Sequence, residues 1–172
     1  MDYKKDKKDT IIKEALICLM REKEYQEINI SEIIEKSEIS RSTFYSRYKK
    51  KDDILVSYIN SIMNHVFDEH HFNGDEHTLV HIFEHMKEQK DDIKLILDST
   101  ASHVFRKALR KRLKVIVDSF YANGLYGKKD IPSDLAIHQY LNDLISLIQY
   151  YVHHGENISP EEITKYYLKI FN

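Results

Sequence analysis

The 172-residue chain contains only four glycines and two prolines. Tight turns between β-strands are mostly built from Gly, Pro or Asn-Gly pairs. A chain with so few of these residues lacks the turns that a β-sheet requires. Apolar residues recur instead at helical spacing along most of the chain. The sequence therefore predicts an all-α protein, with helices at the N-terminus, from Lys51 onwards, and over about 30–37, 40–47, 76–90, 92–100, 102–122, 133–153 and 160–171.

Several other classes of protein find little support in the sequence. The single cysteine, Cys18, cannot form an internal disulfide, which is typical of a reducing compartment. No apolar run follows the charged N-terminal residues, and no stretch approaches the roughly 18 apolar residues of a membrane span. Gly-rich phosphate loops, nucleophile elbows and His-Glu-x-x-His motifs are missing. We therefore expect a cytoplasmic protein that is neither a membrane protein nor an enzyme and needs no cofactor.

Positive charge is concentrated in residues 37–55, which hold five Lys or Arg against three acids, although the whole chain holds 26 basic and 28 acidic residues. A short predicted helix, a three-residue turn and a second short helix match the helix-turn-helix layout here. The second helix of that motif enters the DNA major groove by its N-terminal residues. We therefore expect DNA contacts from Ser40, Arg41, Ser42 and Thr43, and phosphate contacts from Tyr45, Arg47, Tyr48, Lys49, Lys50 and Lys51.

Lys51 and the basic run at 106–114 are interpreted differently. Lys51 lies in the first turn of its predicted helix, where a cation opposes the helix dipole. That cost is explained if the start of the helix points at a DNA phosphate, with backbone N–H groups helping. The basic run at 106–114 alternates instead with apolar residues such as Leu109 and Leu113. It is predicted to be the charged outer face of an amphipathic helix.

Residues 29–55, NISEIIEKSEISRSTFYSRYKKKDDIL, resemble the N-terminal DNA-binding module of the TetR/AcrR transcriptional regulators, and the resemblance covers about residues 8–68. It implies a three-helix DNA-binding domain over residues 1–50. It also implies a larger helical bundle over 51–172, which binds a small effector and dimerises through its last two helices. Glu38 stands where the family usually has Gly, so a left-handed backbone there would cost about 1 kcal/mol. The family's DNA-contact positions fall on Ile30, Ser31, Arg41, Ser42, Thr43, Tyr45, Arg47 and Lys51, to which we add Asn29, the predicted N-cap.

The residues and the resemblance together predict a one-component transcriptional regulator, expected to be a repressor. We expect it to bind a pseudo-palindromic double-stranded DNA operator as a homodimer and to be released by a small, mostly apolar effector. An all-helical protein-interaction module and a His-based metal sensor or enzyme are the alternative functions. His77, His81 and His85 share one face of a predicted helix, but ligands spread along a straight helix lie too far apart for all three to bind one ion. No metal site is therefore predicted.

The larger domain supplies two further sets of candidate residues, separated from the front module by a predicted break at 72–78 and interrupted by a loop at 122–134. Effector binding calls for aromatic surface with few polar groups. The candidates are His81, Phe83, His85, Met86, Phe105, Tyr121 and Tyr140. The last two predicted helices have broad apolar faces rich in tyrosine, which indicates a dimer interface. Its candidates are Leu141, Ile145, Ile148, Tyr151, Val152, Ile163, Tyr167 and Ile170.

Overall fold

The fold was analysed in a computed structural model that describes residues 7–66, 75–126 and 131–171. Within these ranges the regular secondary structure is entirely helical, which confirms the predicted all-α fold. The helices are α1 (Lys7–Glu22), α2 (Ile30–Lys36), α3 (Arg41–Tyr45), α4 (Lys51–Val66), α5 (Glu76–Glu88), α6 (Lys90–Asp98), α7 (Ser102–Ala122), α8 (Ser133–His154) and α9 (Pro160–Phe171), with 3-10 turns at Tyr25–Glu27 and Gly155–Asn157. The predicted break at 72–78 and loop at 122–134 lie partly outside the described residues.

The first three helices form a small head around the start of α4. Phe44 of α3 and Ile33 of α2 are fully buried, and Leu16 of α1 closes the same core from the other side. Ile30 and Ile39 pack against this core while remaining partly exposed. The apolar residues of the predicted helix-turn-helix therefore do hold its two short helices together.

The remaining helices form a larger bundle, in which α7 packs between α4 and α8, and α5 packs against α9. A tyrosine cluster lies deep inside it. The rings of Tyr126 and Tyr140 stack with centroids 4.0 Å apart, and the Tyr126 and Tyr167 hydroxyls are 3.0 Å apart. Tyr167 donates in turn to the backbone carbonyl of Tyr140 at 2.9 Å. The buried hydroxyls are thus satisfied internally, and burial raises the pKa of Tyr126 and Tyr167 above the ordinary value.

The head contacts the larger bundle through side chains of α1 and α4. Arg21 near the end of α1 forms an ion pair with Asp92 of α6 at 2.9 Å. On α4, the Tyr58 hydroxyl donates to Gln89 at 3.2 Å, and Asn64 accepts from Arg112 of α7 at 2.7 Å. These contacts therefore join the head to the bundle through α1 and α4.

Most of the predicted dimer residues are buried within the chain itself, and their part in a dimer interface stays a prediction. The seven buried residues are Leu141, Ile145, Ile148, Tyr151, Val152, Ile163 and Tyr167, and only Ile170 is exposed. The reason is that α8 contacts α5, α6, α7 and α9, so its broad apolar face is covered by helices of the same chain. Among the side chains that the structure describes on α8 and α9, the large apolar ones left exposed are Leu135, Tyr150, Tyr166 and Ile170.

His153 on α8 links this helix to the end of α6. Its Nε2 lies 2.9 Å from the Asp98 carboxylate and its Nδ1 lies 2.7 Å from the Gln149 carbonyl oxygen. Both partners only accept hydrogen bonds, so both ring nitrogens donate when the ring carries its proton. The Asp98 carboxylate, helped by the Gln149 carbonyl, raises the pKa of His153, while Lys94 opposes the effect.

This contact predicts a pH-dependent contribution to stability. Because the folded-state pKa is raised, the contribution is fully present below the unfolded value of about 6.5 and is lost as pH rises through the folded-state pKa. We expect Asp98→Asn to lower the free energy of unfolding near pH 5.5 and to cost progressively less at higher pH. Urea denaturation of both proteins across that range measures the difference. A difference that stays constant with pH would contradict the assignment.

Candidate nucleic-acid interface

The N-terminus of α3 is organised by the hydroxyls of the residues that were predicted to meet DNA. Ser40 is the N-cap, and its Oγ accepts from the backbone N–H of Thr43 at 3.1 Å. The same Oγ lies 2.9 Å from both the Ser42 and the Thr43 hydroxyls. Three short polar side chains therefore form one cluster that caps the start of the helix.

The turn before α3 adopts the strained backbone expected from the family pattern. Glu38 has φ 54, the positive value at which family members usually carry Gly. The preceding residue, Ser37, is buried, and its hydroxyl donates to the carbonyls of Ile33 and Ile34 at 2.6 and 3.2 Å. These bonds close the end of α2, and only four residues separate it from the start of α3.

The side chains best placed for an incoming DNA duplex are exposed on α3 and just after it. Arg41 and Lys49 are exposed, and neither side chain has an ion-pair or hydrogen-bond partner among the described residues. Tyr45 is 52% exposed, and its ring packs edge-on against Phe44, which anchors α3 in the core. The helix thus presents a guanidinium, hydroxyls and a phenol from a rigid support.

The first helix of the motif contributes a second exposed edge. Asn29 is the N-cap of α2, and its backbone N–H donates to Glu32 at 2.8 Å. Ser31 is exposed in the first turn, whereas Ile30 is only partly exposed because it packs on the core. Asn29 and Ser31 therefore stay accessible to a phosphate, and Ile30 is mainly a packing residue in this structure.

Two of the predicted phosphate contacts are engaged inside the head. The Tyr48 side chain is buried, and its hydroxyl donates to Asp9 of α1 at 3.1 Å and lies 3.3 Å from Ser57 of α4. Arg47 forms an ion pair with the same Asp9 carboxylate at 2.9 Å. Burial raises the pKa of Tyr48 to about 12. The Tyr48 side chain therefore joins α1 to α4 in this structure, and its contact with DNA stays a prediction. Asp9 carried no signal in the sequence beyond being an acid in the first helix.

Lys51 has an internal role that the sequence did not reveal. Its ammonium donates to three carbonyl oxygens of the turn between α1 and α2, those of Tyr25, Gln26 and Ile28. It also lies 4.3 Å from the centre of the Tyr25 ring. The backbone N–H groups of Lys49 and Lys50 both donate to Asp53, at 3.0 and 3.1 Å, so that carboxylate occupies the place proposed for a phosphate. The cation at the start of α4 is thus explained by the turn that it binds.

We expect Lys51→Ala to destabilise the protein by about 1–3 kcal/mol, because charge-assisted bonds to three carbonyls are lost. The matched control is Lys50→Ala, which removes an exposed lysine whose ion pair with Asp52 spans 3.5 Å. That control should change the free energy of unfolding by less than about 0.5 kcal/mol. Urea denaturation measures both. Equal stabilities of the two variants would show that the Lys51 contacts are not structural.

The predicted effector and metal residues lie in the larger bundle. Phe83, Met86, Phe105 and Tyr140 are buried in its packed core, and Tyr121 is partly buried beside them. His81 and His85 are partly exposed on α5 and stack with ring centroids 5.8 Å apart, each close to a glutamate three residues on. No group of three or more His, Cys, Asp or Glu among the described residues could hold a metal ion. His70 and His71 lie outside those residues, and effector binding by this set stays a prediction.

An open cleft of about 510 Å³ lies where the head meets the bundle. Its walls come from the end of α1 with the turn after it, and from the end of α6. The lining is largely charged, with Arg21, Lys23 and Asp98 among it. The predicted effector residues are therefore not those that line this cleft.

Three comparisons with known proteins bear on this architecture. Residues 76–172, more than half of the chain, match the TetR-type family model described as "Transcriptional regulator C-terminal region". The crystal structure of a TetR transcriptional regulator from Streptococcus agalactiae 2603V is 29% identical and superposes with a TM-score of 0.76, covering 95% of this chain and 93% of that one. No curated protein matches the sequence.

Two more distant structures share the fold. The fatty acid degradation regulator FadR of Bacillus halodurans is 18% identical, with a TM-score of 0.65 over 97% of this chain and 95% of that one. FadR of Thermus thermophilus, described as a TetR-family transcriptional repressor in complex with lauroyl-CoA, is 17% identical, with a TM-score of 0.53 over 94% of this chain and 92% of that one.

None of the helices in the described ranges is long and apolar enough to span a membrane.

Proposed function

This chain belongs to the TetR family of transcriptional regulators, and from that membership we propose that it binds a pseudo-palindromic DNA operator as a homodimer and acts as a repressor in the cytoplasm. The observation that carries the proposal is the exposed N-terminus of α3. Arg41, Ser42 and Thr43 stand there on a capped helix whose other side is anchored by Phe44. This is the end of a recognition helix that reads base edges in the major groove.

The contacts proposed for DNA divide into two kinds. Arg41 can donate to guanine O6 and N7, and Ser42 and Thr43 suit base edges or phosphates. The proposed phosphate contacts are Tyr45 at the end of α3 and Lys49 just after it, together with Asn29 and Ser31 at the start of α2. Arg47 would join them by exchanging the Asp9 carboxylate for a phosphate. Lys51 is not included, since its ammonium donates to backbone carbonyls.

Dimerisation is proposed through the exposed faces of α8 and α9. Tyr150, Tyr166 and Ile170 are 51%, 49% and 65% exposed, which is unusual for such large apolar side chains on two neighbouring helices. Aromatic residues are enriched at interface cores. A two-fold pair of these helices would place two heads on successive half-sites about one DNA turn, or a small multiple of it, apart.

Release by a small, mostly apolar effector completes the proposal. The Thermus relative named above is described with lauroyl-CoA bound, and the bundle of this chain offers an apolar interior around Phe83, Met86 and Phe105. A ligand that opened this core would displace the contacts that tie α1 and α4 to the bundle. Such a ligand must both stabilise the protein and lower its operator affinity, since the two effects are linked.

The experiment that tests operator binding is the sequencing of genomic fragments retained by the purified protein. We expect a short enriched motif with two-fold symmetry, whose half-sites lie about 10 base pairs, or a small multiple of that, apart. Fragments without any common motif would refute sequence-specific operator binding. Genes next to the motif would indicate the class of effector.

Substitution of Arg41 by Ala is expected to cost about 1–3 kcal/mol in operator binding and to relax the preference at one base pair in each half-site. The comparison is Lys49→Ala, which should weaken binding to all sequences alike and reduce the salt slope by about one per half-site. Both are measured by fluorescence anisotropy with a set of single-base operator variants. An unchanged base preference in the Arg41 variant would show that α3 is not the reading helix.

A further inference from the structure

The outer face of α7 carries a cluster of cations that operator recognition does not use. We define the α7 basic face as Arg106, Lys107, Arg110, Lys111 and Lys114. All but Arg110 are exposed, and Arg110 is partly exposed. The opposite side of the helix is buried in the bundle through residues such as Phe105, Leu109 and Leu113. The α7 basic face is therefore presented by one of the best-anchored helices of the protein.

Little negative charge from the described part of the chain neutralises this face. Arg110 donates to the neutral amide of Asn142 at 2.7 Å and lies 3.5 Å from His138. Among the residues that the structure describes, the only acid paired with the face is Asp118, which binds Lys114 at 2.7 Å. Within the described ranges, Arg106, Lys107 and Lys111 have no ion-pair or hydrogen-bond partner.

The chemistry of the face points to a phosphate backbone rather than to a protein. Protein interfaces are anchored by aromatic side chains at their centres and are depleted in lysine. Val115 is the only large apolar side chain exposed on α7, and it lies at the edge of the cluster. Surfaces that bind nucleic acids are much more positively charged and need no apolar anchor.

The spacing of the cations suits the same partner. Residues 106, 110 and 114 form one row and residues 107 and 111 form a second, with about 6 Å between successive members of a row. A rigid double row of this kind can follow a phosphate strand without reading its bases. The face also lies on a helix other than the two proposed for dimerisation, so a dimer would carry two such faces.

We propose that the α7 basic face is a second DNA-binding surface, which holds the phosphate backbone of duplex DNA independently of sequence. It raises the amount of protein held on DNA outside the operator. It does so without the helix-turn-helix, so it does not rest on operator recognition by the head. The recognised chemistry is the polyanionic backbone of a duplex.

The experiment uses the full chain and a fluorescent duplex that lacks the operator motif. The variant carries Arg106→Gln, Lys107→Gln and Lys111→Gln, and the matched control carries Lys87→Gln, Lys94→Gln and Lys165→Gln, three exposed lysines on other helices. Both lose the same charge. We expect the α7 variant to reduce the slope of log K against log salt by about two to three, since each phosphate contact contributes about 0.9. The control should leave the slope close to that of the wild type.

Two further arms keep the outcomes distinct. The same substitutions are made in an Arg41→Ala/Lys49→Ala background, where the loss should persist if α7 acts apart from the head. Polyglutamate serves as a probe that stands for an acidic protein. If the α7 variant loses polyglutamate binding while its duplex binding is unchanged, the DNA-binding proposal is overturned. An unchanged salt slope in a folded α7 variant overturns it as well.

Single variants at Lys107 and Lys111, each expected to lower the slope by about one, replace the triple variant if that fails to fold. A failed search for an operator leaves this test intact, because its duplex contains no operator.

Discussion

Replacing Ile148 with Glu is expected to abolish the folded state of the protein, not to separate folded monomers. Ile148 is fully buried on α8, which contacts α5, α6, α7 and α9 of the same chain. An uncompensated charge at such a position costs at least about 3–5 kcal/mol, in addition to the lost apolar burial. A domain of ordinary stability has only about 5–15 kcal/mol to lose.

Circular dichroism and urea denaturation measure this effect. The matched control is Ser146→Glu, which places the same charge at an exposed position of the same helix. That control should unfold cooperatively, with a free energy of unfolding within about 0.5 kcal/mol of the wild type. An Ile148→Glu protein that is folded and as stable as the control would show that α8 does not pack as described.

The double variant Tyr166→Glu/Ile170→Glu is expected to be a folded monomer with greatly weakened operator binding. Both side chains are largely exposed on α9, so charges there cost little in the single chain but would be buried at a two-fold interface. A monomer has one head and makes half of the phosphate contacts. We therefore expect operator affinity to fall about 100-fold or more although no DNA-contacting residue has changed.

Sedimentation measures the assembly of this variant, and anisotropy measures its operator affinity. The control is Val115→Glu, which charges an exposed apolar residue on α7 instead. It should remain dimeric. A Tyr166→Glu/Ile170→Glu protein that still sediments as a dimer would place the interface elsewhere.

Much of the secondary structure was predictable because it depends on residues close in sequence. The period of the apolar residues and an N-cap such as Asn29 act over three or four positions. Helices predicted at 102–122 and 160–171 have those bounds in the structure. The positive φ of Glu38 agrees with the Gly that the resembled family usually has at that position.

The functional assignment of individual side chains was less predictable, because each polar side chain has several possible partners. A lysine before two aspartates can bind a phosphate or a carbonyl, and nothing in its neighbours along the chain decides between them. Lys51 donates to carbonyls from 23 to 26 positions away. Arg47 and Tyr48 meet Asp9, which is 38 and 39 positions away. Only the folded head brings these groups together.

The sequence by itself determined the all-α class, the order of the helices and the helix-turn-helix that begins at Asn29. Those properties follow from local periodicity and capping, which are the same in any chain with these residues. The tertiary structure alone decided which apolar helix faces are buried against other helices of the same chain. Periodicity shows that α8 has a broad apolar face, but it does not show which helices cover it. In the folded bundle Ile148 and Tyr151 are covered and Tyr150 is left exposed, because burial depends on which helices of the same chain pack against each face.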